Sequence, residues 1–347
     1  MNLTINVSPE NTLFLIALLL VALYLAVFLQ LILHEAGHLI FGLISGYHFT
    51  SFRIGNLMWL KKDGHLQLKR LSLAGTGGQC LMSPPELVNG KIPFVLYNLG
   101  GPLVNLLLGI LSLCLYLLFD LPVWLDNWFL IHTVLGFGFA FINGIPIVPL
   151  GNDGSNTLAL LKSDGALYSF WIQLRANALL AQGTRLKDMP KEWFALPPKE
   201  EMKNSMSAVR AVLACNRLLD MHRFSESAAL MMELLEPSTG EKTTMTDLHR
   251  GLLICDLIYC EAINENRLEF FKKWYQWDLQ KFMKSMKKFP SVLRTEYVYA
   301  LFVEKDRKKA EDLQLQFQRC IRSYPYPADI ESEQELMEIA LQKFNKM

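Results

Sequence analysis

The residues that can do chemistry are His34-Glu35-Ala36-Gly37-His38, an HExxH motif at the end of an apolar run. On a helix this spacing puts two imidazoles on one face, roughly 6 Å apart, with a carboxylate beside them. Such a face can hold zinc and carries its own base. Two histidines are too few, because a catalytic zinc takes three protein ligands and leaves one position for water. The candidate for the third is Asp153, at the end of Asn143-Gly144-Ile145-Pro146-Ile147-Val148-Pro149-Leu150-Gly151-Asn152-Asp153-Gly154. The competing use of His34, Glu35 and His38 is a proton or ion path, the other setting in which ionisable groups are kept inside a membrane.

The elements that must position these groups are apolar and long. From Leu13 to Leu33 the chain is interrupted only by Gln30, and at 1.5 Å per residue that run covers roughly 30 Å, the thickness of a hydrocarbon core. Three stretches can span: Leu13 to about Ser45, Phe94 to Phe119, and Trp124 to about Leu150. The first exceeds one perpendicular crossing, so its last turns tilt or project toward the inner face. Arg53, Lys61, Lys62, Lys69, Arg70 and Lys91 fall between the first two spans, whereas Asp120 and Asp126 are the charges between the second and third. The positive-inside rule then puts the N-terminus outside the cell membrane and everything after residue 150 in the cytoplasm. With that topology the ends of the first and third spans lie on one side, so His34, His38 and Asp153 can meet. A cleaved signal peptide fits poorly, since no Lys or Arg precedes the apolar run and no small-residue site follows it.

Residues 27–54, Gly101-Pro102-Leu103-Val104-Asn105 and the Asn143 to Gly154 stretch, in that order, resemble the three-helix core of the site-2 protease family of intramembrane zinc metalloproteases, of the bacterial type without a PDZ domain. The resemblance covers about residues 12–160. It implies one zinc ion bound by His34, His38 and Asp153, with Glu35 activating the water, and a membrane-associated β-hairpin region over 46–82. It also implies a transmembrane or hydrophobic peptide as substrate, such as an anti-sigma factor, a signal-peptide remnant or a pheromone or bacteriocin precursor. One departure matters: the family's third motif brings Leu-Asp-Gly together, whereas Gly151 and Asn152 here separate Leu150 from Asp153. Either the extra residues form a loop that leaves Asp153 as a ligand, or the third ligand is lost or supplied by Asn152, as in a non-catalytic, peptide-binding relative.

A peptide bond inside a transmembrane helix is hidden by its own hydrogen bonds, so a substrate has to be unwound and held extended. Asn143 is a candidate for that task, with a helix cap or an interhelical hydrogen bond as its plainer role. Gly101, Pro102 and Asn105 suit close packing of the second helix on the first, where small residues allow approach and the Asn105 amide can bond across.

Only six of the 34 Lys/Arg and seven of the 33 Asp/Glu lie before residue 160, so a membrane half is joined to a charged soluble half. Between the first two spans, Tyr47 to Ile54 and His65 to Lys69 alternate, and Gly55, Gly64, Gly75, Gly77 and Gly78 punctuate them, which predicts a small antiparallel sheet. The expected division is a protease core over 1–160 and an all-α cytoplasmic domain over 161–347, with helices at Arg223–Leu235, Met245–Ile263, Arg267–Lys288 and Arg307–Ile321. Tetratricopeptide-like stacking is one arrangement for them, although no 34-residue period can be counted. That domain offers a surface for a cytoplasmic protein partner; the core requires a lipid bilayer. A net charge of +1 without a basic stripe argues against nucleic acid. The six cysteines show no paired spacing and suit reduced thiols. His48, His65 and His132 lack ligand spacing, and His222 and His249 lie in the soluble half, so surface or interfacial places are expected of all five. Lys272, Lys273, Lys281, Lys284, Lys287 and Lys288 beside Phe270, Phe271, Trp274, Tyr275 and Trp277 read as a solvated face over an aromatic core, with contact to anionic lipid as the alternative.

Overall fold

The computed structural model describes residues 9–71, 76–148, 151–236 and 244–347, with side chains from Thr12 onward. The chain divides into two compact units: 1–45 with 94–157, and 46–93 with 158–347.

The first unit contains three helices long and apolar enough to cross a membrane: α1 (Pro9–Ile44), α2 (Val95–Leu118) and α3 (Val123–Gly144). In α1 the outward residues are apolar, with Leu13, Phe14, Leu20 and Tyr24 each more than half exposed. Its buried stripe is Ala26, Gln30, His34 and His38, spaced four apart on one face. The helix thus turns its polar groups inward and its hydrocarbon outward, a pattern suited to lipid. Close approach rests on small residues: a Cβ at Gly37 would collide with the backbone of Gly100 on α2, and one at Gly136 on α3 would come within 2.8 Å of the Asn105 carbonyl oxygen and the Gly109 Cα.

The third span ends at Gly144, short of the expected Leu150. Ile145 is extended at φ −77°, ψ 131°, because the ring of Pro146 excludes the helical conformation from the residue before it. A further helix, α4 (Asp153–Leu161), begins at Asp153 itself.

In the second unit the expected hairpin region is a four-stranded antiparallel sheet in the order β3-β2-β1-β4, made of β1 (His48–Ile54), β2 (Leu57–Lys62), β3 (His65–Arg70) and β4 (Gly78–Ser83). It groups with the C-terminal helices, which differs from a division at residue 160. Alternation explains the difference. Met58 and Leu60 face inward from β2 and, with Leu71, pack on Ala181 of α5 (Asp164–Gln182) and on Tyr324. Hydrogen bonds seal the contact: Arg70 N–H donates to the Ser323 carbonyl (3.0 Å), Gln182 Nε2 to that of Lys61 (2.9 Å), and Trp171 Nε1 to that of Pro85 (2.9 Å).

The remaining helices are α6 (Ser205–Asp220), α7 (Phe224–Leu235), α8 (Asp247–Asn264), α9 (Leu268–Trp274), α10 (Trp277–Ser285), α11 (Pro290–Tyr299), α12 (Arg307–Ile321) and α13 (Pro327–Asn345). The helix expected over 267–288 is therefore two, broken at Tyr275-Gln276. Phe271 and Trp274 are buried there and Phe270 and Tyr275 half-buried, as an aromatic core requires, whereas Trp277 is exposed; Lys273 and Lys281 lie over the rings of Trp274 and Trp277. All six cysteines are free thiols.

Fully buried Arg294 lies between Asp256 and Glu333 and over the Tyr259 ring. Burial is the main force pushing the Asp329 and Glu333 carboxyls up, to about 7 and about 8, with Asp220 adding repulsion; a hydrogen bond from Tyr324 opposes the shift at Asp329, and the charge of Arg294 opposes it at Glu333. A carboxyl that binds its proton more tightly folded than unfolded adds stability at low pH that is lost as pH rises toward the folded value. The thermal midpoint of the helical unit, followed in the full-length protein, is accordingly expected to fall between about pH 5 and about pH 8. Asp329→Asn with Glu333→Gln should flatten that profile, and a midpoint rising with pH in the wild type would contradict the assignment.

Candidate metal centre

The sequence brings the two histidines together by helical spacing; tertiary structure brings the third group. The Nε2 atoms of His34 and His38 are 3.2 Å apart, and Asp153 Oδ2 lies 3.1 Å from the first and 3.5 Å from the second. Ligand atoms on a tetrahedron with bonds of about 2.0–2.1 Å lie about 3.3 Å apart, so this triangle has the size of one face of a zinc site. Both histidines are buried. Among the described residues this is the one group of three or more His, Cys, Asp or Glu that could hold a metal ion.

Hydrogen bonding fixes which imidazole nitrogens face the centre. His38 Nδ1 donates to the Tyr97 carbonyl at 2.8 Å, an acceptor only, so its Nε2 presents a lone pair. His34 Nδ1 is 2.6 Å from Asn105 Oδ1. The orientation of the Asn105 amide is set by its nitrogen, which donates to the Gln30 carbonyl at 3.1 Å and to Gln30 Oε1 at 2.6 Å. Its oxygen therefore faces His34 as an acceptor, His34 carries its proton on Nδ1, and Nε2 is again a lone pair. Asp153 Oδ2 is buried without a hydrogen-bond partner. With both imidazoles neutral, three lone pairs converge on one point, an arrangement that a bound cation satisfies.

The ligand loop is built by Asn152. Its Oδ1 accepts from the backbone N–H of Ile147 (3.2 Å) and of Ser155 (3.0 Å), and its Nδ2 donates to the carbonyls of Ile142 (2.5 Å) and Ile145 (2.6 Å). Gly151 supplies a left-handed φ of +60° just before it. Asn152 thus caps α4 and closes the segment after α3, and its amide is occupied with backbone. Of the two readings of the inserted Gly151-Asn152, the geometry corresponds to the loop that returns Asp153 to the histidines.

Asn105 bonds across to α1 as expected, and its partner there is the His34 imidazole; Gly101, expected to serve packing, also touches the centre. A Cβ at Gly101 would stand 2.6 Å from Nε2 of both His34 and His38. Pro102 is buried inside α2 and faces Gly144 of α3. Glu35 is also buried, one residue from His34. Asn143 is half-buried, and its Nδ2 donates to the Phe139 carbonyl of its own helix at 3.0 Å, which is nearer to its plainer, local role. His48 and His65 are exposed. His132 departs from the surface or interfacial place expected of it: it is buried in α3 and hydrogen-bonded to Gln30. Gln30 and His132 belong to no motif that the sequence displays. The signal was present for Gln30, which lies four residues before His34 and therefore on the same face.

Comparison with known proteins finds no family model that matches the chain, and no match among curated proteins or solved structures.

Proposed function

We propose that the protein is an intramembrane zinc endopeptidase of the site-2 protease type, hydrolysing a peptide bond in a membrane-spanning protein or hydrophobic precursor peptide. The observation that carries the reading is the triangle of lone-pair atoms on His34, His38 and Asp153, on helices of membrane-spanning length and beside a buried glutamate. A zinc ion held there supplies a Lewis acid that polarises a carbonyl and lowers the pKa of water to about 7. Glu35 accepts a proton from the attacking water and returns it to the leaving amine nitrogen. His34 and His38 are held rigid by Asn105 and the Tyr97 carbonyl, so neither has to reorganise as charge develops. Asn143 holds the unwound substrate beside this centre, exchanging its bond to Phe139 for one to the substrate backbone. The N-terminus lies outside and the second unit in the cytoplasm, where its tetratricopeptide-like helix pairs engage a protein partner.

Metal analysis of protein purified in detergent tests this directly. About one zinc per chain is expected in wild type and in Glu35→Gln, and a sharply lower content in His34→Ala and Asp153→Ala. Little zinc in wild type would favour the non-catalytic, peptide-binding alternative, and unchanged zinc in Asp153→Ala would remove the third ligand from the scheme.

A further inference from the structure

Gln30 is the one polar residue in the apolar run of α1 before the zinc motif, and nothing in the motif accounts for it. It is fully buried, as is Asn105, and His132 nearly so. Gln30 Nε2 donates to the His132 backbone carbonyl at 3.3 Å and approaches His132 Nδ1 at 3.2 Å. A carbonyl can only accept, so this end of the amide must be nitrogen and Gln30 Oε1 must face Asn105. The Gln30 carbonyl imposes the same sense on Asn105. Two backbone oxygens, one on α3 and one on α1, therefore fix the direction of every bond in the series His132, Gln30, Asn105, His34. If either amide rotated by half a turn, two N–H donors would face one another.

Resting on the metal reading above, we propose that Gln30, anchored by His132 on α3, is a positioning residue for zinc. It holds the Asn105 amide in the sense that keeps the proton on His34 Nδ1 and the lone pair of Nε2 toward the ion. A polar residue at this depth in an apolar helix is retained only where it has partners, and here its partners end on a metal ligand. The third helix thereby takes part in shaping the ligand set on the first, although His132 touches neither the ion nor its ligands.

The test measures zinc affinity of the full-length protein in detergent by chelator competition, with the electronic spectrum of the cobalt-substituted protein as a second readout. Gln30→Met keeps the volume and removes the three side-chain hydrogen bonds, leaving Asn105 only the backbone carbonyl of residue 30; it is expected to weaken zinc about 10-fold or more, within the 10- to 100-fold typical of residues that orient a ligating histidine. Gln30→Glu is the rescue. Burial keeps its carboxyl protonated, so the C=O accepts from Asn105 and the O–H donates toward His132, and affinity should stay within about threefold of wild type. In an Asn105→Leu background, Gln30→Met should cost nothing further, because Gln30 acts through Asn105. Wild-type affinity in Gln30→Met, or fully additive losses in the double variant, would overturn the proposal. Gln30→Glu is decisive even where Gln30→Met fails to fold: retained zinc with an unchanged cobalt spectrum supports the positioning role, and lost zinc refutes it. A wild type that binds no zinc would sink the metal reading beneath, an outcome distinct from zinc that binds and ignores Gln30.

Discussion

Glu35→Gln is expected to lower peptide-bond hydrolysis by about 10²–10⁴-fold while leaving zinc at the wild-type level, the range by which a positioned general base accelerates a reaction. The amide has the size of the carboxylate and can hydrogen-bond, but it cannot take a proton from water at neutral pH. Glu35 is not among the three groups that converge at the centre, so metal retention follows from the geometry. Its burial beside those ligands means that the substitution changes the charge within the site and little of its shape. Cleavage of a reporter carrying an apolar span, in vesicles containing the purified protein, measures the first quantity and metal analysis the second. Activity near wild type would remove Glu35 as the base; loss of zinc would assign it to the ligand set instead.

Gly101→Ala is expected to reduce zinc to below about a tenth of wild type, a loss comparable with that of deleting a residue that holds a ligand in place. The added methyl would stand 2.6 Å from Nε2 of both histidines, on the faces they turn to the ion. Real Cβ atoms do not come so near, so either α2 retreats or the imidazoles turn away. Retreat would give up the close packing one residue earlier, where neither Gly37 nor Gly100 has room for a Cβ against the other's backbone. Overpacking of this kind costs about 1–3 kcal/mol of stability, so a purely mechanical role for Gly101 would show as a lowered thermal midpoint with zinc intact. Gly138→Ala, whose methyl meets nothing within 4 Å, is the matched control in the neighbouring span. Zinc at wild-type content in Gly101→Ala would show that the two imidazoles do not need that space.

The membrane helices and the two histidines were legible because their information is local: hydropathy over a window and a spacing of four. Asp153 could be named because charge bias put the ends of two spans on one side, yet its approach depends on Asn152, whose four backbone partners no pattern in the sequence discloses. Gln30 and His132 illustrate the limit more sharply. Each is a single polar residue in an apolar segment, and the meaning of each lies in a contact 102 residues away along the chain. Asn105 in turn reaches Gln30 from 75 residues away. The sheet was predicted from alternation, but alternation says only that one face is covered, and the cover comes from Ala181 and Tyr324, far along the chain. The end of α3 at Gly144 was marked by Pro146, and the break in the 267–288 helix by nothing as plain.

The division of the chain into units has a consequence for how it can be shortened. Residues 46–93 belong with 158–347, so the segment holding α2, α3 and the start of α4 is, in covalent terms, an insertion within the second unit. Cutting the gene after residue 160 would thus not release a self-contained membrane core. It would leave Met58, Leu60 and Leu71 without the helices that cover them, as an unshielded apolar sheet surface of the kind that seeds aggregation. The two units are joined by three peptide connections, after residues 45, 93 and 157. A truncation at any one of these connections removes part of at least one unit.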